Sequence, residues 1–369
     1  MMQLVFFASS LIALLGGHAL FWFIFIKFFH ITASSDQTVA GIIIGILFVG
    51  FILSSYLIHK WDNFFTRVYY IFSGLWIGLF MNLCLMAFLI ILIKLAGPHW
   101  GFYLEENYLR LIFFGGSLLI SIVGIYNAIV PKVTEYEVKI KDLPEAWDNK
   151  TVVQISDVHL GPVYRKEFFY NLIKQVNKLN PEAVFITGDL FDGMEAEFSW
   201  MNHPFNNLHA PRGTYYSYGN HDLYLGYRRV RSLLEGNPVI ILNNKMEVVD
   251  GLQIIGINYS FNNDFDLEEA ILKQVDYDSS KPSILLFHAP RNINLARKVG
   301  IDLQLSGHTH DGQMFPYNIL TKWAHGGYGY GFFQKGDFNL IVSAGVGSWG
   351  PPMRTSARSE IVKIILKKK

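Results

Sequence analysis

The chain has 369 residues, a formal net charge of +1, 51% apolar residues and 17% charged residues. This near-neutral balance gives no electrostatic footprint for nucleic acid, and a single cysteine, Cys84, excludes an intramolecular disulfide. The averages conceal a division, because charge is sparse up to about residue 131 and ordinary for a soluble globular domain beyond it. We therefore predict two domains, residues 1–131 and residues 132–369.

Four apolar stretches of the first domain are each long enough to cross a bilayer as a helix. None of them contains Asp, Glu, Lys or Arg; they are Leu4–Ile26, Val39–Ile58, Val68–Ile93 and Leu111–Val130. A cleaved signal peptide would explain only the first stretch, so we predict a multi-pass membrane anchor. Lys and Arg residues in the loops favour a cytoplasmic second domain by a margin of two residues.

Three polar residues lie within these stretches, namely His18, Asn82 and Asn127. Intramembrane polar groups can mark a transport pathway, but one histidine and two amides give that hypothesis little support. We interpret them as partners in hydrogen bonds between helices or as interfacial residues.

The second domain alternates strand-like apolar runs with helical segments, which indicates a layered α/β or α+β fold. The predicted strands are Thr134–Ile140, Thr151–Ile155, Ala183–Thr187, Thr214–Tyr218, Ile254–Ile257, Ser283–Phe287, Leu303–Ser306, Phe338–Ser343 and Glu360–Leu366. Apolar residues at helical spacing predict helices at Glu167–Leu179, Leu267–Val275 and Ile293–Val299.

Five clusters of ligand-type residues follow the ends of predicted strands. They are Asp157-Val158-His159, Gly188-Asp189, Gly219-Asn220-His221-Asp222, a lone His288, and Gly307-His308-Thr309-His310. Acid, imidazole and amide groups that converge from several strand ends can build one two-metal site. Mixed oxygen and nitrogen ligands suit Mn²⁺, Fe or Zn²⁺ better than Ca²⁺, and two such ions can clamp a phosphoryl group.

In this order, the five clusters resemble the motif series of calcineurin-like metallophosphoesterases over about residues 133–369. The stretches Ile155–Gly161 and Ser306–His310, followed by Gly312 and Gln313, are similar to the membrane-anchored bacterial branch of that family. The resemblance implies a four-layer sandwich of two β-sheets flanked by helices, here preceded by an all-α region of four transmembrane helices.

The resemblance also implies a role for each matching residue. Asp157, His159 and His310 would hold one divalent metal ion, whereas Asn220, His288 and His308 would hold a second. Asp189 would bridge both ions, as a carboxylate with two oxygens can. His221 would lie beside the substrate and protonate the leaving group or stabilise the phosphoryl charge.

Neighbouring residues leave alternatives open. Asp222 could orient His221 or cap the following segment, and Asp192 could support a ligating histidine or lie in a surface loop. Asp311 departs from the small residue usual after the last motif; it could raise metal affinity, contact a substrate amine, or point into solvent. Arg354 and Arg165 could clamp a phosphate, although arginine residues more commonly lie on the surface.

We therefore expect a membrane-bound, dinuclear-metal hydrolase of phosphodiester, pyrophosphate or phosphomonoester bonds that acts through a metal-bridging hydroxide. Its expected partners are a phosphorylated substrate, a lipid-linked one among the options, and the lipid bilayer, with no nucleic acid. The alternative is a non-catalytic metal-binding scaffold or regulatory domain attached to a functional membrane region. Lost ligands would support that alternative, and none is lost.

Overall fold

The computed structural model describes residues 2–261 and 275–369. It divides into two compact units, the first ending at Ile122 and the second running from Val123 to Lys369. The predicted helix at Leu267–Val275 lies outside the described residues except for Val275. The domain boundary that composition suggests at residue 131 stays a prediction.

The first unit is built from long apolar helices. They are α1 (Met2–Phe28), α2 (Ser34–Lys60), α3 (Phe64–Ala96), a 3₁₀ turn (Gly97–Trp100), α4 (Glu106–Leu111), a π-helical turn (Ile112–Gly116) and the start of α5 (Ser117–Ile129). Among the residues that the structure describes, three segments are long and apolar enough to cross a membrane, namely Ser34–Lys60, Phe64–Trp100 and Glu106–Ile129. A shorter apolar segment of α1 runs from Leu14 to Phe28.

Two of the polar residues in these helices bond to neighbouring helices. Trp76 Nε1 on α3 donates to His18 Nε2 on α1 (3.4 Å), and Asn82 Nδ2 on α3 donates to Ser121 Oγ on α5 (2.9 Å). The predicted interhelical hydrogen bonding is thus confirmed for His18 and Asn82. Asn127 differs, because it belongs to the second unit, where its amide donates to the Arg354 carbonyl (3.3 Å).

The second unit contains two six-stranded mixed sheets. The first has the strand order β1-β12-β2-β3-β4-β5 and the second β10-β11-β9-β8-β7-β6. The strands are β1 (Lys132–Ile140), β2 (Thr151–Ile155), β3 (Ala183–Thr187), β4 (Thr214–Ser217), β5 (Ile240–Ile241), β6 (Lys245–Val249), β7 (Leu252–Ile257), β8 (Ser283–Phe287), β9 (Leu303–Ser306), β10 (Gly331–Lys335), β11 (Phe338–Val342) and β12 (Glu360–Lys368). Strands β2 to β5 are parallel, as are β7 to β9, so the carboxyl ends of each set share one sheet edge.

Helices connect the strands, and all but the last of them pack against the outer faces of the sheets. They are α6 (Lys166–Asn177), α7 (Asn202–Asn206), α8 (Asn220–Leu225), α9 (Tyr227–Leu234), α10 (Ile293–Lys298) and α11 (Tyr317–Ala324). Successive strand residues alternate between layers, as the pleat requires: Val152 packs between the sheets and Val153 packs against α6. Ile255 and Leu285 pack outward against α10. The predicted four-layer sandwich is confirmed.

Candidate metal centre

The loops that follow β2, β3, β4, β8 and β9 bring the predicted ligands together. Asp157, His159 and His310 form one group whose potential ligand atoms all lie within 4.8 Å of one another. Asp189, His288 and His308 form a second group of the same compactness, and a third contains His159, Asp189 and His221. Parallel strands of both sheets therefore deliver these seven residues to one place, as open α/β sheets do at their carboxyl ends.

Two imidazoles and one carboxylate face each other in the first group. His159 Nε2 lies 3.1 Å from His310 Nε2, and His310 Nε2 lies 3.3 Å from Asp157 Oδ1. Asp157 also accepts the backbone N–H of His308 at 3.1 Å on each of its oxygens, which fixes the carboxylate. His159 Nδ1 donates to Asp192 Oδ1 (3.1 Å), so the Nε2 lone pair remains available for a cation.

The second group contains buried polar atoms that lack hydrogen bonds. His288 Nδ1 donates to the Thr187 carbonyl (2.8 Å), which leaves Nε2 facing Asp189. That Nε2 lies 3.1 Å from Asp189 Oδ2, and among the described residues neither it nor the buried Asn220 Oδ1 has a hydrogen-bond partner. A buried acceptor without a donor, such as Asn220 Oδ1, costs about 1–3 kcal/mol. These orphaned atoms, with the carboxylates and imidazoles around them, fit a pair of divalent ions.

The backbone at the site is strained. The φ angles of Asp157 (53°), His159 (52°), Asp189 (49°), His308 (71°) and His310 (50°) all fall in the left-handed region that non-glycine residues rarely adopt. Such strain persists only where the surroundings hold it, and it concentrates at functional sites. Here the backbone turns sharply after a strand, and the turn presents each side chain to the centre.

Two glycines give the ligands room. A Cβ on Gly219 would lie 2.1 Å from Asp189 Oδ1, and a Cβ on Gly307 would lie 2.0 Å from Ser156 Oγ and 2.2 Å from Asp157 Oδ2. Any side chain at either position would displace a ligand carboxylate. The glycines of the Gly-Asn and Gly-His motifs are thus explained by close approach.

Burial and mutual charge set the protonation of the metal-free site. Burial disfavours the charge of Asp189, yet the neighbouring His288, His221 and His159 lower its pKa below the ordinary value. Burial acts against protonation of His288, but the Asp189 and Asp157 carboxylates raise its pKa to about 9. Burial lowers the pKa of His308 to about 3 and that of His310 well below its usual range. The rings of His308 and His310 are therefore neutral at neutral pH.

His221 lies at the edge of the same cluster. Its Nδ1 donates to the Asp192 carbonyl (2.9 Å), and its backbone N–H donates to Asp189 Oδ1 (2.8 Å). Its ring is 4.7 Å from that of His159 and 6.2 Å from that of Trp349, which is 56% exposed. The ring is thus fixed at one nitrogen while the other remains available. Burial lowers the pKa of His221.

Asp222 caps backbone groups and does not touch the His221 ring. Its buried carboxylate accepts the N–H groups of Asp189 (2.7 Å), Phe191 (3.0 Å) and Gly219 (2.9 Å). Of the two alternatives for Asp222, the structure thus supports capping, and the cap joins the loops after β3 and β4. For Asp192, the bond to His159 supports the second alternative, orientation of a ligating histidine.

Arg354 is fully buried, so a surface position is wrong for this residue. Its Nε donates to the Gly347 carbonyl (2.9 Å), and its Nη2 donates to His310 Nδ1 (2.9 Å). It therefore orients the ring of His310, a candidate ligand, through the ring nitrogen that does not face Asp157. No sequence signal distinguishes such an arginine from a surface one. Asp311 is half-buried and is absent from the compact ligand groups of the described residues, and burial raises its pKa to about 6.

Comparisons with known proteins identify the family. The family model for calcineurin-like phosphoesterases matches residues 150–312. A solved dimetal phosphatase from Danio rerio is similar to 60% of this chain and 93% of its own, with a TM-score of 0.37 and 12% identity. A transmembrane protein with metallophosphoesterase domain from Danio rerio is 32% identical, over 68% of this chain and 61% of the relative. An uncharacterized metallophosphoesterase of Helicobacter pylori is 35% identical over 269 residues, or 71% of each chain. At this identity and coverage, the chain belongs to the calcineurin-like metallophosphoesterase family and is a hydrolase of phosphoric esters.

Proposed function

We propose that the two ligand groups hold two divalent metal ions in a membrane-bound phosphoesterase. Asp157, His159 and His310 would hold one ion, Asn220, His288 and His308 would hold the other, and Asp189 would contribute to both. The single observation that carries this assignment is the pair of buried atoms without hydrogen bonds, Asn220 Oδ1 and His288 Nε2, beside the shared Asp189. Mn²⁺, Fe or Zn²⁺ fits the mixed oxygen and nitrogen donors.

The protein supplies orientation and proton transfer. Two such ions, when bound, supply Lewis acidity and an activated water. His221 is the residue we place beside the leaving oxygen, because its Nδ1 is fixed by Asp192 and its Nε2 remains available. Burial lowers the pKa of His221 in the free protein. An anionic phosphoryl group beside the ring opposes that shift, because a nearby negative charge favours the imidazolium.

The apolar helices support a site that works at a membrane. Three segments have the length and composition of membrane spans, and relatives with the same domain carry the word transmembrane in their names. We propose a multi-pass anchor with a cytoplasmic catalytic domain and a substrate that is lipid-linked or held near the bilayer. Anchoring raises the local concentration of such a substrate. A reporter fused after Lys369 tests the orientation; a signal only from the outer side of the membrane contradicts it.

Hydrolysis by the full-length protein tests the metal assignment. The protein is purified in detergent, stripped of metal and supplied with Mn²⁺ or Zn²⁺, then assayed with bis-(p-nitrophenyl) phosphate and with the monoester. We expect Asp189→Asn and Asn220→Ala to lose metal and at least about 100-fold in kcat/KM, or about 2.7 kcal/mol of transition-state stabilisation. The control Asp337→Asn, at an exposed position, should match the parent protein. Full activity of either ligand variant would contradict the assignment. A parent protein that neither retains metal nor hydrolyses either ester would contradict the proposed enzyme, and one that retains metal without hydrolysis would favour the metal-binding scaffold.

A further inference from the structure

Helix α11 carries its apolar residues on the outside. Ile319 is 60% exposed, Leu320 59% and Trp323 83%, whereas the polar Asn318 and Thr321 are partly buried. A surface helix of a soluble domain shows the opposite arrangement, with the apolar face toward the core. Phe315 and Tyr317 extend the same exposed apolar surface at the start of the helix. A contiguous surface of this kind marks an interaction site.

The segments on both sides of α11 are linked to the last apolar helix, ahead of α11 through Thr355 and Arg354, and behind it through Lys132, which follows that helix. Ahead of α11, Phe315 N–H donates to Thr355 Oγ1 (3.0 Å), and the neighbouring Arg354 N–H donates to the carbonyl of Gly124 in α5 (2.8 Å). Behind α11, Lys132 Nζ donates to Tyr330 Oη (3.0 Å). Gly124 lies inside the candidate span that ends at Ile129, and Lys132 follows that end directly. The helix is therefore held close to the point where the chain leaves the membrane.

Cationic side chains accompany the apolar surface. Lys322 lies exposed on α11 itself, and the partly exposed Arg358 donates from Nε to the carbonyl of Val130 (2.7 Å). Lys132 is also partly exposed, and its Nζ lies 3.8 Å from the buried Glu360 carboxylate. Lys and Arg at the level of lipid headgroups attract anionic lipid, while exposed Trp and Tyr favour the membrane–water interface. The combined chemistry fits a lipid surface better than a protein partner.

The same helix borders the metal centre. His325 caps the carboxyl end of α11, and its ring lies 6.0 Å from that of His308. Thr309, between His308 and His310, donates from Oγ1 to the Gly329 carbonyl in the loop after α11 (2.5 Å). Helix α11 thus runs along the rim of the site.

We propose that α11 is a membrane-interface helix that inserts Ile319, Leu320 and Trp323 into the bilayer surface and holds the mouth of the metal centre against the lipid headgroups. An amphipathic helix can lie in the interface plane with its apolar face in the headgroup and acyl boundary. A phosphoester carried by a membrane lipid then reaches the centre without leaving the bilayer. This consequence for the substrate rests on the proposed function, whereas insertion of the helix does not.

Membrane depth of spin labels tests the insertion directly. The full-length protein carrying Cys84→Ala receives one cysteine at Leu320, at Trp323, or at Val248 as a control, since Val248 is 57% exposed on the edge strand β6. Labelled proteins are placed in nanodiscs of phosphatidylcholine and phosphatidylglycerol and probed with oxygen and a water-soluble nickel chelate. We expect oxygen to relax the labels on α11 more than the chelate does, and the reverse at Val248. Labels on α11 that behave like Val248, or that are shielded from both reagents by a second protein copy, overturn the proposal.

A matched pair of substrates tests the consequence for catalysis. Bis-(p-nitrophenyl) phosphate is soluble, and hexadecyl p-nitrophenyl phosphate in vesicles releases the same leaving group from a lipid-anchored ester. For Leu320→Glu combined with Trp323→Glu, we expect hydrolysis of the vesicle substrate to fall about tenfold. Hydrolysis of the soluble ester should be unchanged, and Val248→Glu should change neither. An unchanged rate on vesicles overturns this part of the proposal. Absence of activity on both esters in the parent protein would instead contradict the proposed function, and it would not affect the conclusion from the spin labels.

Discussion

Removal of the Asp222 carboxylate should uncouple two loops of the metal centre. In Asp222→Ala, the buried N–H groups of Asp189, Phe191 and Gly219 all lose their acceptor. A buried donor left without a partner costs about 1–3 kcal/mol. Because water entering the vacated space can satisfy some of these groups, we expect a total loss of about 3–5 kcal/mol in the free energy of unfolding. In a domain of this size that loss lowers the melting temperature by about 10 °C.

The assay combines thermal unfolding of the full-length protein in detergent with measurement of bound metal. We expect Asp222→Ala to retain less metal than the parent, because Asp189 is positioned by the loop that the cap holds. Asp222→Asn keeps one carbonyl acceptor and should fall between the two proteins. Asp337→Ala, at an exposed carboxylate, should stay within about 0.5 kcal/mol of the parent. A melting temperature and metal content of Asp222→Ala equal to those of the parent would refute the capping role.

Three further predictions concern the metal centre. Metal binding should release a proton. In the metal-free protein the pKa of His288 is raised to about 9, so its ring binds a proton at lower pH and must lose that proton to become a ligand. The apparent Mn²⁺ affinity should then rise by up to about tenfold per pH unit between pH 6.5 and pH 8.5. Calorimetry in two buffers measures this affinity, and an affinity that does not depend on pH would contradict the prediction. Gly219→Ala should displace Asp189 and abolish metal retention, measured by elemental analysis. Gly336→Ala, where a Cβ meets open space but the φ of 68° strains any side chain, should retain the metal and so separates backbone strain from displacement of a ligand. Arg354→Met should weaken the ion held by His310 and raise the Mn²⁺ concentration needed for half-maximal activity by about 10–100-fold, with partial recovery in Arg354→Lys; an unchanged metal requirement would show that Arg354 serves the fold alone.

The central strands were readable from sequence because each is a short, almost wholly apolar run. The predicted bounds of β2, β3, β8 and β9 agree with the structure. The edge strand β1 was predicted, but the other three edge strands, β5, β6 and β10, were missed. β5 has only two residues, and β6 contains Lys245 and Glu247 with most of its residues exposed or partly exposed. Such segments become strands because a neighbouring backbone pairs with them, and their own composition does not predict a strand.

The candidate ligands could also be named from sequence, because carboxyl ends of parallel strands meet at one sheet edge and therefore gather the side chains that follow them. The supporting residues could not. The cap made by Asp222, the buried side of Arg354 and the bond from His159 to Asp192 all depend on loops from distant parts of the chain. The local sequence pattern around each residue does not predict such partners.

Sequence by itself thus determined the apolar helices, the layered fold and the ligand chemistry, because hydrophobic length, periodicity and residue type are local properties. Tertiary structure alone decided which loops share Asp189, which buried atoms lack hydrogen bonds, and which face of α11 is exposed. Helix α11 shows the reason. Its sequence has an apolar face and a polar face, but it does not determine which of the two packs against the domain. In the structure Asn318 and Thr321 face the domain, so Trp323 points outward.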